Sequence, residues 1–61
     1  MIENQKYAEC REHGEALVLD LEVDTGVYHL YFEKIETGEE ETWLKTESYE
    51  EAMEKFKELT N

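Results

Sequence analysis

The stretch that decides the fold is ALVLDLEVDTGVYHLYFEKI, residues 16–35. Leucines at positions 17, 19 and 21 alternate with Val18, Asp20 and Glu22, a pattern typical of a strand that is buried on one face. Residues 27–35 are aromatic and β-branched, which predicts a second strand. Asp24-Thr25-Gly26 lies between the two, and glycine adopts positive φ without strain, so the stretch predicts a β-hairpin.

The register of this hairpin follows from matching its apolar faces. A four-residue loop over 23–26 sets the three leucines opposite large apolar residues, because a slip of one residue exchanges the faces of a strand. The predicted pairs are Leu21 with Tyr28, Leu19 with Leu30, and Leu17 with Phe32. A three-residue loop would set the same leucines opposite His29, Tyr31 and Glu33, which is a poorer match, so we favour the first register.

Two further strands extend the hairpin. Thr37-Gly38 predicts a two-residue turn, and residues 41–46 predict a third strand whose Trp43 lies beside Phe32. Residues 5–12 give a weaker pattern for a fourth strand, with Tyr7 on one side and Ala8 and Cys10 on the other. The sheet is therefore expected to have three or four strands.

The carboxy-terminal segment predicts a helix from Tyr49 to about Leu59. Ser48 and Glu51 have the spacing of a capping box, in which each side chain hydrogen-bonds the other residue's backbone amide. The apolar residues then recur at helical spacing and form one stripe. The stripe consists of Tyr49, Ala52, Met53, Phe56 and Leu59.

These elements predict an α+β fold. It is an antiparallel three- or four-stranded meander with one C-terminal α-helix packed on one face, and it forms a single domain over 1–61. The sheet side of the predicted core consists of Leu17, Leu19, Leu21, Tyr28, Leu30, Phe32 and Trp43, and the helical stripe covers it.

The opposite face of the predicted sheet carries an apolar row. In the predicted register Val18, Tyr31 and Leu44 align across three strands, and Asp20, His29 and Thr46 form the neighbouring row. Apolar rows are seldom left in water. We expect either the amino-terminal segment, through Tyr7 or through Ala8 and Cys10, or a second molecule to cover this row.

Composition and charge limit the classes of partner. The chain has 17 acidic and 6 basic residues and a net charge of −11, which opposes direct binding to nucleic acid or to an anionic membrane. A protein with a basic surface suits it, and the charge also promotes solubility. The lone Cys10 excludes an intrachain disulfide and favours a cytoplasmic protein, and the longest apolar run, Ala16 to Leu19, is too short to span a bilayer.

The residues predict no enzyme, no cofactor and no metal site. His29 opposite Asp20 could form a base with its orienting carboxylate, but we predict no nucleophile beside the pair and interpret it as a cross-strand contact. Cys10 has no neighbouring base. No phosphate-binding loop and no pair of zinc ligands at the usual spacing occur in the sequence.

Two groups of carboxylates are the candidate contact residues. Glu36, Glu39, Glu40 and Glu41 crowd one hairpin tip, and Glu47, Glu50 and Glu54 lie at the helix start and on its outer face. We expect the tip to approach the helix start and to create a region of strong negative potential there.

In size and charge the chain resembles the small acidic inhibitors, anti-CRISPR proteins among them, that phages use against nucleic-acid-binding defence enzymes. The resemblance implies a non-enzymatic protein that blocks a basic nucleic-acid-binding surface in the host cytoplasm. The alternative is a small structural or regulatory domain that homodimerises through the sheet face at Val18, His29, Tyr31 and Leu44, with its acidity serving only solubility.

Overall fold

The computed structural model describes residues 1–10 and 12–60, which form one antiparallel sheet followed by one helix. The strands lie side by side in chain order, so the predicted α+β meander is confirmed, with four strands and one C-terminal helix. The elements are β1 (Ile2–Cys10), β2 (Glu15–Glu22), β3 (Val27–Lys34), β4 (Glu40–Thr46) and α1 (Tyr49–Thr60). The strand predicted over 5–12 begins earlier than expected, and residue 11 lies outside the described residues.

The central hairpin has the predicted register. Leu17 pairs with Phe32 and Leu19 with Leu30, and the loop between β2 and β3 spans the four residues 23–26. Gly26 has a φ of 73° and donates its amide hydrogen to the Glu22 carbonyl at 2.8 Å. A residue with a Cβ would be strained at that φ, so the glycine sets the loop length and, through it, the register.

The hydrophobic core lies between the leucine face of the sheet and α1. Its buried members are Leu17, Leu19, Leu30, Ala52 and Phe56, and Ala8, Tyr28, Phe32, Leu44, Met53 and Leu59 pack around them. Burial of each large apolar side chain stabilises the fold by roughly 1.5–3 kcal/mol before chain entropy is subtracted. Trp43 and Tyr49, which were predicted as core residues, are instead 50% and 48% exposed.

The helix starts where the sequence predicts. The Glu51 amide donates to Ser48 Oγ at 3.3 Å. This is one of the two hydrogen bonds of the predicted capping box, the one that the Ser48 side chain accepts. Ala52 N then donates to the Ser48 carbonyl at 3.1 Å, which closes the first helical turn. From Ala52 onwards the stripe of α1 packs against the sheet, through Ala52, Met53, Phe56 and Leu59.

The turn before β4 is wider than predicted. It spans residues 35–39 rather than the two residues Thr37 and Gly38, so the predicted two-residue turn is wrong. Gly38 has a φ of 76° and donates its amide hydrogen to the Lys34 carbonyl at 2.7 Å. This hydrogen bond encloses residues 34–38, and it needs at position 38 a positive φ that glycine adopts at low cost.

A β-bulge at Trp43 changes the face of the residues that follow it. Tyr31 pairs with Thr42, but Leu30 pairs with Leu44, so Trp43 is an extra residue in β4. A regular strand directs only one of two consecutive residues to a given face, and the bulge lets both Trp43 and Leu44 lie on the helix side.

The bulge corrects two predictions about the outer face, the face turned away from α1. Leu44 does not align with Val18 and Tyr31; it packs in the core, and Thr42 takes its place opposite Tyr31. Lys45, not Thr46, lies opposite His29. The composition of the turn and the alternation of the strand did not predict this extra residue.

We expect Phe56→Ala to cost about 3–5 kcal/mol, because it leaves a cavity at the centre of the core. A chain of 61 residues has a free energy of unfolding of only roughly 3–9 kcal/mol. Urea denaturation measures the change. Tyr49→Ala on the same helix is the control and should cost about 1 kcal/mol. Tyr49 is half exposed, and its ring centroid lies 5.4 Å from that of Tyr28. Equal losses would contradict this description of the core.

Candidate partner-binding surface

The meander places two turns side by side at one end of the sheet. The β1–β2 turn and the β3–β4 turn meet there, and the Ile35 amide donates to the Gly14 carbonyl at 3.0 Å. This hydrogen bond continues the sheet pairing beyond the ends of β2 and β3. Carboxylates that are far apart in the sequence are therefore brought together.

We call this region the acidic end and define it by its carboxylates. They are Glu9, Glu12, Glu15, Glu33, Glu36, Glu39, Glu40 and Glu41. Lys34 lies among them, with its Nζ 3.8 Å from Glu39 Oε2. Both side chains of that pair are exposed, and one lysine balances at most one of the eight negative charges. The end therefore carries a strong negative potential.

Like charges oppose each other directly within the acidic end. Glu33 and Glu40 are paired residues of β3 and β4, and they share the outer face with Tyr31. Glu9 lies on the same row, opposite Ala16 of β2, which in turn pairs with Glu33. Directly opposed like charges destabilise a sheet. The strand pairing therefore holds these carboxylates close together at a cost to stability.

The predicted approach of the hairpin tip to the helix start does not occur. Glu47 and Glu50 follow the far end of β4, and its seven residues separate them from the tip by about 20 Å. The acids that join the tip are instead those of the β1–β2 turn, which sequence reasoning left out. Alternate turns of a meander lie at the same end of a sheet, so four consecutive strands were the signal that could have found them.

The outer face is closed by its own side chains. Val18 and Tyr31 are 4% and 8% exposed, although no helix or strand in the described part of the chain packs over them. Tyr7 pairs with Val18 and extends the row, as expected of the amino-terminal segment, and remains 54% exposed. The homodimer was predicted to form on an apolar row of Val18, Tyr31 and Leu44. Leu44 lies in the core instead, and Val18 and Tyr31 expose little surface.

A hydrogen-bond network holds the centre of this face rigid. Tyr31 Oη donates to Asp20 Oδ2 at 2.8 Å, and Asn4 Nδ2 donates to Asp20 Oδ1 at 3.0 Å. The His29 ring packs against the Tyr31 ring at a tilt of 38°, with the ring centroids 4.7 Å apart, and its Nε2 lies 2.9 Å from Thr42 Oγ1. Each of these side chains is held by a neighbour, which is what rigid support of a binding surface requires.

The same network sets two pKa values. Burial, together with the hydrogen bond to Asp20, raises the pKa of the Tyr31 hydroxyl well above its usual range, so Tyr31 remains a donor. Burial lowers the pKa of His29 from its ordinary value of 6.5, with repulsion from Lys45 acting in the same direction. The charges of Glu40, Asp20 and Glu22 partly oppose that shift.

The candidate pair of His29 and Asp20 does not form a hydrogen bond between its side chains in the contacts described above. Asp20 and His29 are cross-strand partners, as predicted, but the hydrogen bonds of the Asp20 carboxylate go to Tyr31 and Asn4, and His29 meets Thr42. Within residues 1–10 and 12–60, no group of three His, Cys, Asp or Glu side chains is placed to hold a metal ion. In the same ranges no helix has the length and apolar character needed to cross a bilayer.

Comparison of the chain with models of protein families, with curated proteins and with solved structures gave no match.

We expect His29 to titrate below 6.5, and NMR of its ring protons measures the midpoint. Because its pKa is lower in the folded chain, the unfolded chain takes up the proton more readily. His29 therefore contributes stability above its unfolded pKa that is lost as pH falls through the folded value. His29→Gln should lose less stability than the parent between about pH 7 and about pH 5 in urea denaturation. A steeper loss in the variant would contradict the assignment.

Glu40→Gln should raise Tm at low salt, because it removes the like charge opposite Glu33. The expected increase in the free energy of unfolding is about 0.2–1 kcal/mol. Thermal denaturation measures the change, and added salt should reduce the difference between variant and parent. Glu47→Gln removes the same charge outside any strand and should stabilise less. An equal gain for both variants would show that total charge, not strand pairing, causes the repulsion.

Proposed function

We propose that the chain is a non-enzymatic acidic inhibitor that binds a basic nucleic-acid-binding surface of another protein and excludes DNA or RNA from it. The observation that carries this proposal is the acidic end, which the hydrogen bond between Ile35 and Gly14 assembles from two turns. The partner of such a surface is a protein whose lysines and arginines normally contact phosphates.

The charge density of the molecule supports the proposal. A net charge of −11 is spread along a molecule 32 Å long, which is about one charge per 3 Å. One strand of a DNA duplex carries one charge per about 3.4 Å of axis, and both strands together one per about 1.7 Å. Averaged along its longest axis, the chain thus has a net charge density close to that of a single nucleic-acid strand, on a scaffold without bases or sugars.

The spacing of the carboxylates is a second support. Glu33 and Glu40 are on neighbouring strands, about 5 Å apart across the ladder, and Glu9 is two strands from Glu33, about 10 Å away. These positions are held by backbone hydrogen bonds and not by flexible loops. A basic groove therefore meets carboxylates whose backbone positions are already fixed, and little backbone entropy is lost on binding.

The cost of opposed carboxylates becomes an advantage in the complex. Glu33 and Glu40 repel each other in the free chain, and a cation from the partner placed between them removes that repulsion. The carboxylates at the helix start, Glu47 and Glu50, and Glu54 on the outer face of α1 add to the field that steers association.

No cofactor or metal takes part, and the activity belongs to a reducing compartment such as the cytoplasm, where Cys10 remains a thiol.

The proposal is tested with a panel of purified nucleases that have basic grooves. Cleavage of a fluorescent DNA duplex is measured with and without the chain at low and at physiological salt. We expect at least one nuclease to be inhibited. Added salt should weaken the inhibition steeply, because it screens the attraction between the two surfaces and reduces the gain from counterion release. Inhibition that is independent of salt would contradict an electrostatic contact.

Two triple variants with the same change in charge locate the contact. Glu36→Gln, Glu39→Gln and Glu40→Gln alter the acidic end, whereas Glu22→Gln, Glu47→Gln and Glu50→Gln alter the opposite end of the sheet. The first triple should reduce the association rate on the order of tenfold, and the second should reduce it less. Stopped-flow or surface-immobilised binding measures the rates. Equal effects would show that net charge acts without a localised contact.

A further inference from the structure

β1 forms one edge of the sheet. In the part of the chain that the structure describes, β2 pairs with one side of β1 and no strand lies on the other. The Met1 carbonyl accepts from the Val23 amide at 3.0 Å and so points towards β2. Backbone groups alternate in direction along a strand, so those of Ile2 and Asn4 point away from the sheet. An edge of this kind is a template for pairing with another chain.

Residues 2–7 of β1 are electrically neutral, although the whole chain has a net charge of −11. Their sequence, IENQKY, contains one acid, Glu3, and one base, Lys6. Both of these side chains are exposed. The apolar side chains of Ile2 and Tyr7 are also exposed, at 69% and 54%. This segment can therefore enter an interface without bringing an unbalanced charge into it.

β1 contains one extra residue relative to β2. Asn4 pairs with Asp20 and Lys6 pairs with Leu19, so Gln5 has no partner of its own in β2. Asn4 Nδ2 donates to the Lys6 carbonyl at 3.2 Å and to Asp20 Oδ1 at 3.0 Å. These hydrogen bonds hold the irregularity in place.

The extra residue sorts the neighbouring side chains between the two faces of the sheet. Glu3 and Lys6 both pair with leucines of the core face of β2, so they share the helix side. Ile2 and Tyr7 both pair with outer-face residues of β2 and share the outer face. In a regular strand, residues separated by an odd number of positions lie on opposite faces. Only the extra residue therefore places the two opposite charges on one face and the two apolar side chains on the other.

We propose that β1 pairs antiparallel with β1 of a second copy of this chain, so that residues 2–7 of one copy lie opposite residues 7–2 of the other. The two four-stranded sheets then form one sheet of eight strands around a two-fold axis. Both copies use the same edge, so every contact occurs twice. The inference goes beyond the proposed function and does not rest on it.

Charge complementarity selects this register. Glu3 lies opposite Lys6 of the second copy, and Lys6 lies opposite its Glu3. Ile2 lies opposite Tyr7 of the second copy on the outer face, and this contact buries two side chains that are mostly exposed in the single chain. A shift of the register by two residues brings either the two Lys6 side chains or the two Glu3 side chains together. Like charges in such positions destabilise strand pairing.

The irregularity in β1 favours a second copy over an unrelated strand. In the proposed register Gln5 lies opposite Asn4 of the second copy, so the extra residue of each chain is matched. A regular strand would leave Gln5 unmatched, as β2 does. The antiparallel arrangement also directs the acidic ends of the two copies away from each other, because they lie beyond opposite ends of the paired segment. This separation limits the repulsion between two chains of charge −11.

Sedimentation velocity over micromolar to millimolar concentrations of the chain tests the pairing. We expect the mean mass to rise from that of one chain towards that of two. Added salt should strengthen the dimer, because two chains of charge −11 repel each other. This salt dependence is opposite in sign to that expected for inhibition of a nuclease. A chain that stays monomeric at every concentration and salt would overturn the proposal.

Variants with exchanged charges test the register. Glu3→Lys sets two bases opposite each other and Lys6→Glu sets two acids opposite each other, so each variant alone should weaken the dimer on the order of tenfold. An equimolar mixture of the two variants should form a heterodimer, because every base then lies opposite an acid again. A mixture that dimerises no better than the separate variants would overturn the proposal.

Glu54→Lys on the outer face of α1 is the matched control, because it changes the net charge by the same amount as Glu3→Lys. It reduces the repulsion between the two copies and should strengthen the dimer or leave it unchanged. Weakening of the dimer by Glu54→Lys as large as that by Glu3→Lys would contradict pairing through β1.

Amide hydrogen exchange identifies the edge independently of the variants. The Ile2 and Asn4 amides should become protected as the concentration of the chain rises, because they then donate to the second copy. The amides of β4 at the other edge should exchange at an unchanged rate. Protection that appears on β4 instead of β1 would overturn the proposal.

Discussion

Burial of the leucine face beneath α1 is the interaction on which the rest of the structure depends. Leu19 and Leu30 have no exposed surface, and Ala52, also fully buried, lets the helix backbone approach the sheet closely. The chain has 17 acidic residues, and their charges must remain in water. Too few apolar residues are therefore left to build a second packed layer. One face of the sheet is therefore packed, and the other is closed only by its own side chains.

The bulge at Trp43 links this core to the surface. Without it, Leu44 would lie on the outer face, and Trp43 alone would point at the helix. With it, Leu44 joins the core and Trp43 remains half exposed at the edge, with its ring against Phe32. The irregularity also disrupts the hydrogen-bonding edge of β4, which protects an open sheet from pairing with other chains. One extra residue thus serves both packing and edge protection.

The arrangement of charge has a physical cost that packing alone does not explain. The ladder sets Glu33 opposite Glu40, and the hydrogen bond between Ile35 and Gly14 draws a second acidic turn towards the first. A protein that needed its charge only for solubility could distribute these residues more widely at lower cost. Residues that reduce stability where they lie are commonly found at binding sites, and this supports assigning the acidic end a part in recognition.

The sequence by itself determined the elements, the central register and the helix cap. Leucines that alternate along residues 16–22, Gly26 at its turn and Ser48 before the apolar stripe act over short distances, so local periodicity and turn chemistry are sufficient to predict them. Only the tertiary structure decided the bulge at Trp43 and whether the amino-terminal segment pairs as a fourth strand, which is what brings the two acidic turns to one end of the sheet. Both depend on which of several packings buries more apolar surface across strands that are distant in the chain, and a local pattern does not contain that comparison.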